Sequence, residues 1–204
     1  MRRRLATTTV CVVGERTADV LDHLDPAANV RVHRAEADDL LDGAVDAARA
    51  ASGTQLPFFA FDADPLGLVA TAWARRFDVD SPALPGELEV AVAETLARWR
   101  AGSLDLPDFY LLTEAESLPR LHRDWYLGVL GAAAPQRMVL AGGSLSSTLR
   151  RLPAGPWWPE LDRLLDGVDR LEHTAAVVGD RLVAQTAHGS CERFGREWGV
   201  TSEA

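Results

Sequence analysis

"PFFAFDADPLGLVATAWARRF", residues 57–77, decides the fold. Its first five residues are apolar without polar alternation, the pattern of a strand covered on both faces. Asp64 and Pro65 then supply a helix start, a carboxylate at the N-cap followed by a ring whose fixed φ suits the first turn. Leu66, Val69, Trp73 and Phe77 follow at helical spacing, which predicts one buried face. A buried strand feeding an amphipathic helix is half of a parallel β–α–β unit.

The same alternation extends in both directions. Upstream, TTVCVV (residues 8–13) reads as a strand ended by Gly14, and residues 17–24 as an amphipathic helix. Pro26 and Asn29 mark a turn, and VRVHR (30–34) alternates in period two. A helix is predicted over 38–52, with Leu40, Leu41, Val45 and Ala48 on its inner face and Gly53 behind it. Downstream, Leu88, Val92, Leu96 and Trp99 space a helix over 87–100. FYLLT (109–113) is a strand, and Leu118, Leu121, Trp125 and Val129 face inward on a helix that Pro135 closes. RMVLA (137–141) is a fifth strand, followed by a short helix over 144–152. Residues 153–159 form a packed loop whose Trp157 and Trp158 are expected to be buried, and a helix covers 160–171. Gly179–Asp180 between apolar runs predicts a hairpin over 175–186, and a last helix covers 190–198. The expected fold is therefore one α/β domain spanning 1–204. It is three-layered and Rossmann-like, with a mainly parallel sheet of about five strands, right-handed crossovers and a C-terminal β-hairpin. Residues 1–6 and 199–204 are expected to fray, and 78–86 is the candidate hinge.

Composition excludes several chemistries. The formal net charge is −9, which opposes nucleic-acid binding because a phosphate backbone demands a positive field. All 21 basic residues other than histidine are arginine, in the usage expected of a GC-rich genome or a salt-adapted source. Without lysine, no side chain can form a Schiff base. The P-loop and the protein-kinase site lose the lysine that reaches their phosphates. No stretch approaches the ~18 apolar residues of a membrane span. The basic start before residues 8–13 reads as a tail ahead of a first strand rather than a signal peptide, so a cytoplasmic location is expected. Cys11 lies in an apolar run and reads as a small core hydrophobe.

In folds of this class ligands bind beyond the carboxyl ends of the strands. The residues placed there are Gly14, Arg16 and Thr17, then Asp62 and Asp64, then Thr113, Glu114 and Glu116, and last Gly142, Gly143, Ser144, Ser146 and Ser147. Asp62 and Asp64 are alternate carboxylates at the end of a buried strand, a donor set suited to Mg²⁺ or Mn²⁺. FFAFDAD resembles the metal-binding DxD of nucleotide-sugar glycosyltransferases. It also resembles the first motif of haloacid-dehalogenase-type phosphatases, which implies a nucleophilic Asp62 and a second-motif hydroxyl at Thr113. That family's catalytic lysine has no counterpart here. The other reading makes Asp64 a helix cap and Asp62 a solvated turn residue. VLAGG with the following serines and Arg150 resembles the nucleotide-binding loop of sugar-phosphate and molybdopterin nucleotidyltransferases. Here the loop follows the DxD instead of preceding it, and its lysine is missing. Physically, Gly142, Gly143 and Ser144 offer either an anion-binding helix start or a capped turn. His188 and Cys191, with His173, are a weak zinc set, and His122 is a lone helix histidine.

These readings give an expected function: a non-enzymatic or regulatory protein binding a protein partner or small anionic ligand at its strand ends. No nucleic acid or membrane partner is expected. The alternative is a divalent-metal-dependent nucleotidyl or glycosyl transferase or phosphatase using Asp62 and Asp64.

Overall fold

The computed structural model describes residues 7–168, apart from 38, 79, 81–83, 142–144 and the side chain of Ser146. The hairpin expected over 175–186, the helix over 190–198, His173, His188, Cys191, the two frayed ends and residues 79 and 81–83 of the candidate hinge lie outside the described residues. The strands are β1 (Thr8–Gly14), β2 (Val30–His33), β3 (Phe58–Phe61), β4 (Phe109–Thr113) and β5 (Met138–Leu140). They form one sheet in the order β2-β3-β1-β4-β5, and every pair is parallel. The helices are α1 (Thr17–Leu24), α2 (Leu40–Ser52), α3 (Gly67–Phe77) and α4 (Glu87–Arg100). Helix α5 begins as Arg120–Arg123, continues as a π-helix over Asp124–Leu130 and ends as Gly131–Ala133. Helices α6 (Leu145–Arg150) and α7 (Leu161–Leu165) follow. This is a three-layer α/β fold.

The strand order explains the layers. The β1-to-β2 connection runs toward one edge of the sheet, and the three later connections run the other way. Right-handed crossovers therefore put α1 on one face and α2–α5 on the other. The core divides accordingly. Val20, Leu21 and Leu24 of α1 pack with Val10, Val12, Ala60, Leu111 and Leu149. Cys11, Phe59, Phe61, Tyr110 and Leu112, which alternate with the strand residues of that set, pack with Val69, Trp73, Leu88, Trp125 and Leu164. The period-two alternation of each strand thus serves two different helical layers. Cys11 is a buried free thiol, as its apolar surroundings predict.

Two polar ties register the sheet at its amino edge. The Asp108 carboxylate accepts from Thr9 N at 2.7 Å and from Thr9 Oγ1 at 3.0 Å, while Asp108 N donates back to Thr9 Oγ1 at 2.8 Å. Arg137 is buried and donates to the carbonyls of Gly155 and Pro156 at 2.8 and 2.9 Å. Its guanidinium also stacks 4.9 Å from the Trp157 ring centroid. Trp158 Nε1 donates to Pro107 O at 2.7 Å. Of the tryptophan pair, Trp158 is buried but Trp157 stays 39% exposed, because it lies over Arg137 rather than inside the core.

Helix phasing departs from expectation in three places. Leu40 is exposed, and the inner face of α2 is Leu41, Ala44, Ala47 and Ala51, because Asp39 caps the helix and sets its start. In α4 the buried residues are Leu88, Ala91 and Thr95, which leaves Val92, Leu96 and Trp99 half-buried at the margin. In α5 the π-helix widens the turns, so Trp125, Tyr126, Leu127 and Gly128 are consecutively buried, while Leu121 and Val129 are only partly so.

Candidate functional site

The parallel sheet brings the ends of β1 and β3 to the same edge, and a cavity of about 300 Å³ opens above them. The β1 end contributes Gly14 and Thr17, the β2–α2 connection Ala35, Ala37 and Asp39, the β3–α3 connection Asp62, Ala63 and Asp64, and α5 contributes His122 and Tyr126. Ala35, Ala37, Gly43, Ala63, Gly67 and Ala70 leave the space open because none carries a side chain beyond Cβ. Gly14 sits at φ +132°, and a side chain there would run into the Thr113 carbonyl and hydroxyl oxygens. Glycine is therefore required where β1 turns into α1.

Asp64 organises the wall of this crevice. Its Oδ1 accepts from Tyr110 Oη at 2.7 Å and from Leu66 N at 2.8 Å, and its Oδ2 accepts from Tyr126 Oη at 2.7 Å. Burial holds the carboxyl above its ordinary pKa, against the three donors and His122. Burial and the Asp64 charge together push both tyrosines well above theirs. The bond from Leu66 N closes the turn ahead of α3, whose N-cap is Leu66 without a side-chain cap bond, so Asp64 stands two residues before the cap position that the sequence assigned to it. Asp62 remains partly exposed, and its Oδ1 accepts from Ala35 N at 2.7 Å, which ties the β2–α2 connection to the end of β3. Its second oxygen makes no hydrogen bond among the described residues. His122 likewise makes none there, and burial lowers its pKa below the ordinary value, with Asp64 opposing. The imidazole is therefore neutral near pH 7.

The other sequence candidates fall elsewhere. Thr113 is buried and its hydroxyl donates to Val13 O at 3.3 Å. Strand β1 separates β4 from β3, which puts Thr113 about 10 Å across the sheet from the Asp62 strand. It does not stand beside Asp62 as a second-motif hydroxyl would. Arg16 is exposed and committed to Asp19 at 3.1 Å and Glu114 at 3.4 Å. Gly142, Gly143 and Ser144, and the side chain of Ser146, lie outside the described residues. Strand β5, which precedes them in the chain, stands three inter-strand spacings from β3.

The aspartate pair does not fit a Mg²⁺ or Mn²⁺ centre as arranged. Each oxygen of Asp64 already faces a donor hydrogen. Among the described residues no group of three or more His, Cys, Asp or Glu side chains could hold a metal ion. No helix among them is long and apolar enough to cross a membrane.

Sequence reasoning missed Tyr110 and Tyr126 as partners of Asp64. Tyr110 reads as one more core residue of β4. Tyr126 reaches the crevice through a π-helix that no apolar periodicity announces. Compared with family models, curated proteins and solved structures, the chain matches none.

Proposed function

We propose that this chain is a non-catalytic binding protein that holds a small molecule in the crevice over β1 and β3, and that any regulatory role works through that occupancy. One observation carries the reading. Both oxygens of Asp64 and one oxygen of Asp62 are tied into structural hydrogen bonds, whereas the crevice beside them stays open and is walled by small residues. At roughly 30 Å³ per water-sized volume, it suits a ligand of about ten non-hydrogen atoms. It lies at the low end of ligand-site sizes. Asp39, Asp62 and Asp64 face this space and no arginine lines it, so an anion would meet unfavourable charge here. An anion-binding role for residues 142–146 is a separate proposal, tested by phosphate titration of Gly143→Val.

Thr71 lines the crevice, and its hydroxyl makes no hydrogen bond among the described residues. Thr71→Phe should therefore fill the space without breaking a polar contact. In thermal-shift measurements with a panel of small amines, alcohols, sugars and carboxylates, a ligand at a hundred times its Kd should stabilise the wild type by about 2.7 kcal/mol. The same compound should leave Thr71→Phe unmoved. Equal stabilisation of both proteins would place the ligand elsewhere and refute the reading. The alternative, a metal-dependent transferase or phosphatase, requires Mg²⁺ or Mn²⁺ to raise the melting temperature in an Asp62-dependent way. The binding reading expects no such rise.

A further inference from the structure

Resting on that crevice reading, we propose that the ligand class is a small primary amine whose ammonium group is bound by the Asp62 carboxylate in the crevice that His122 also lines. Three observations converge. The charge is one-sided: Asp39, Asp62 and Asp64 line the crevice without a basic partner. Arg16, beyond the β1 end, is held by Asp19 and Glu114 and does not line the space. Two acceptors among the lining residues are also unspent. Asp62 uses only Oδ1, toward Ala35 N, and the neutral His122 ring keeps one acceptor nitrogen. Finally, the walls beside these acceptors are hydrocarbon, from Val12, Ala63 and Ala70, which suits an alkyl or aryl stem.

An ammonium group matches this set better than its competitors. It carries three donors on a compact charge, enough for Asp62, His122 and water. A guanidinium is best satisfied by both oxygens of one carboxylate, and one oxygen of Asp62 is already taken. An alcohol can donate to the same acceptors but leaves the carboxylate charge uncompensated in a half-desolvated place. A carboxylate ligand is repelled.

The test is calorimetric titration with phenethylamine, benzylamine and butylamine, each against its matched alcohol, carboxylate and guanidine. The amines should bind the wild type, the alcohols at least tenfold more weakly, and the carboxylates not at all. Asp62→Asn keeps the oxygen that accepts from Ala35 N and so should fold. It should weaken the amines at least tenfold and leave the alcohols unchanged. Thr71→Phe should abolish both. If alcohols or carboxylates match the amines, or Asp62→Asn binds amines like the wild type, the amine assignment is wrong. The crevice reading then survives only if Thr71→Phe still blocks what binds. If no amine binds the wild type, the assignment also fails. In that case any other compound blocked by Thr71→Phe upholds the crevice alone.

Discussion

Trp73→Ala should destabilise the protein by about 3–5 kcal/mol. Trp73 is 0% exposed and sits where α3 meets the sheet and α5. Its ring packs edge-on to Phe77 at 5.0 Å and against Trp125 at 5.7 Å. Its indole nitrogen donates to Val168 O at 2.6 Å, joining α3 to the chain beyond α7. Truncation would open a cavity too well packed to collapse and would strand that carbonyl, so two separate costs add. Urea denaturation should show a lower midpoint with an unchanged slope. Trp99→Ala is the internal control. That side chain is half-buried at the α4 margin, and its loss should cost clearly less. Equal effects at the two positions would mean that α3 is not the centre of this layer.

Asp64→Ala should cost a similar amount, for a different reason. It would leave Tyr110 Oη, Tyr126 Oη and Leu66 N without their acceptor. Each stranded donor costs about 1–3 kcal/mol when buried. Water in the crevice can reach Tyr126 in part, which limits the sum to about 3–5 kcal/mol. Asp64→Asn should be far milder. The amide oxygen still accepts from Tyr110 and Leu66, and the amide nitrogen can donate to a Tyr126 hydroxyl turned to accept. The pH dependence separates charge from hydrogen bonding. Burial raises the folded pKa of Asp64 above its unfolded value, so the native state holds this proton more tightly. The carboxyl's contribution is most favourable below the unfolded value of about 3.9 and is lost as pH rises through the folded value. Asp64→Asn lacks that loss. Its stability relative to wild type should therefore improve as pH rises from about 4 toward neutrality. His122, Tyr110 and Tyr126 face the same carboxylate and are common to both proteins. The tyrosines stay protonated across this range, and His122 loses only its attraction to Asp64. Parallel pH profiles for wild type and Asp64→Asn would contradict the assignment of a desolvated charge.

The layered α/β architecture was legible because its signals are local. Strands β3 and β5 are unbroken apolar runs, β2 alternates in period two, and Gly53 stands behind α2 where the sequence puts it. Residues 58–61, 66, 69 and 73 fall where the sequence puts them. What was not legible depends on pairing between distant elements. Nothing in FYLLT or in residues 120–133 says that Tyr110 and Tyr126 share one carboxylate 46 and 62 positions from them. The sheet order decides that Thr113 stands away from Asp62, and order is set by crossovers, not by any one strand. The helix errors have the same origin. Leu40, Leu121 and Val129 satisfy a 3.6-residue period, but the Asp39 cap and the π-helix rotate the buried face away from them.

The most direct measurement of the central claim is a ¹H–¹⁵N amide map of the ¹⁵N-labelled chain titrated with phenethylamine. Binding in the crevice predicts saturable shifts concentrated at the amides of Gly14, Thr17, Ala35, Ala63 and Gly67, all of which border or line it, and their absence in Thr71→Phe. Saturable shifts centred elsewhere, on α4 or on the β5 side of the sheet, would contradict the account.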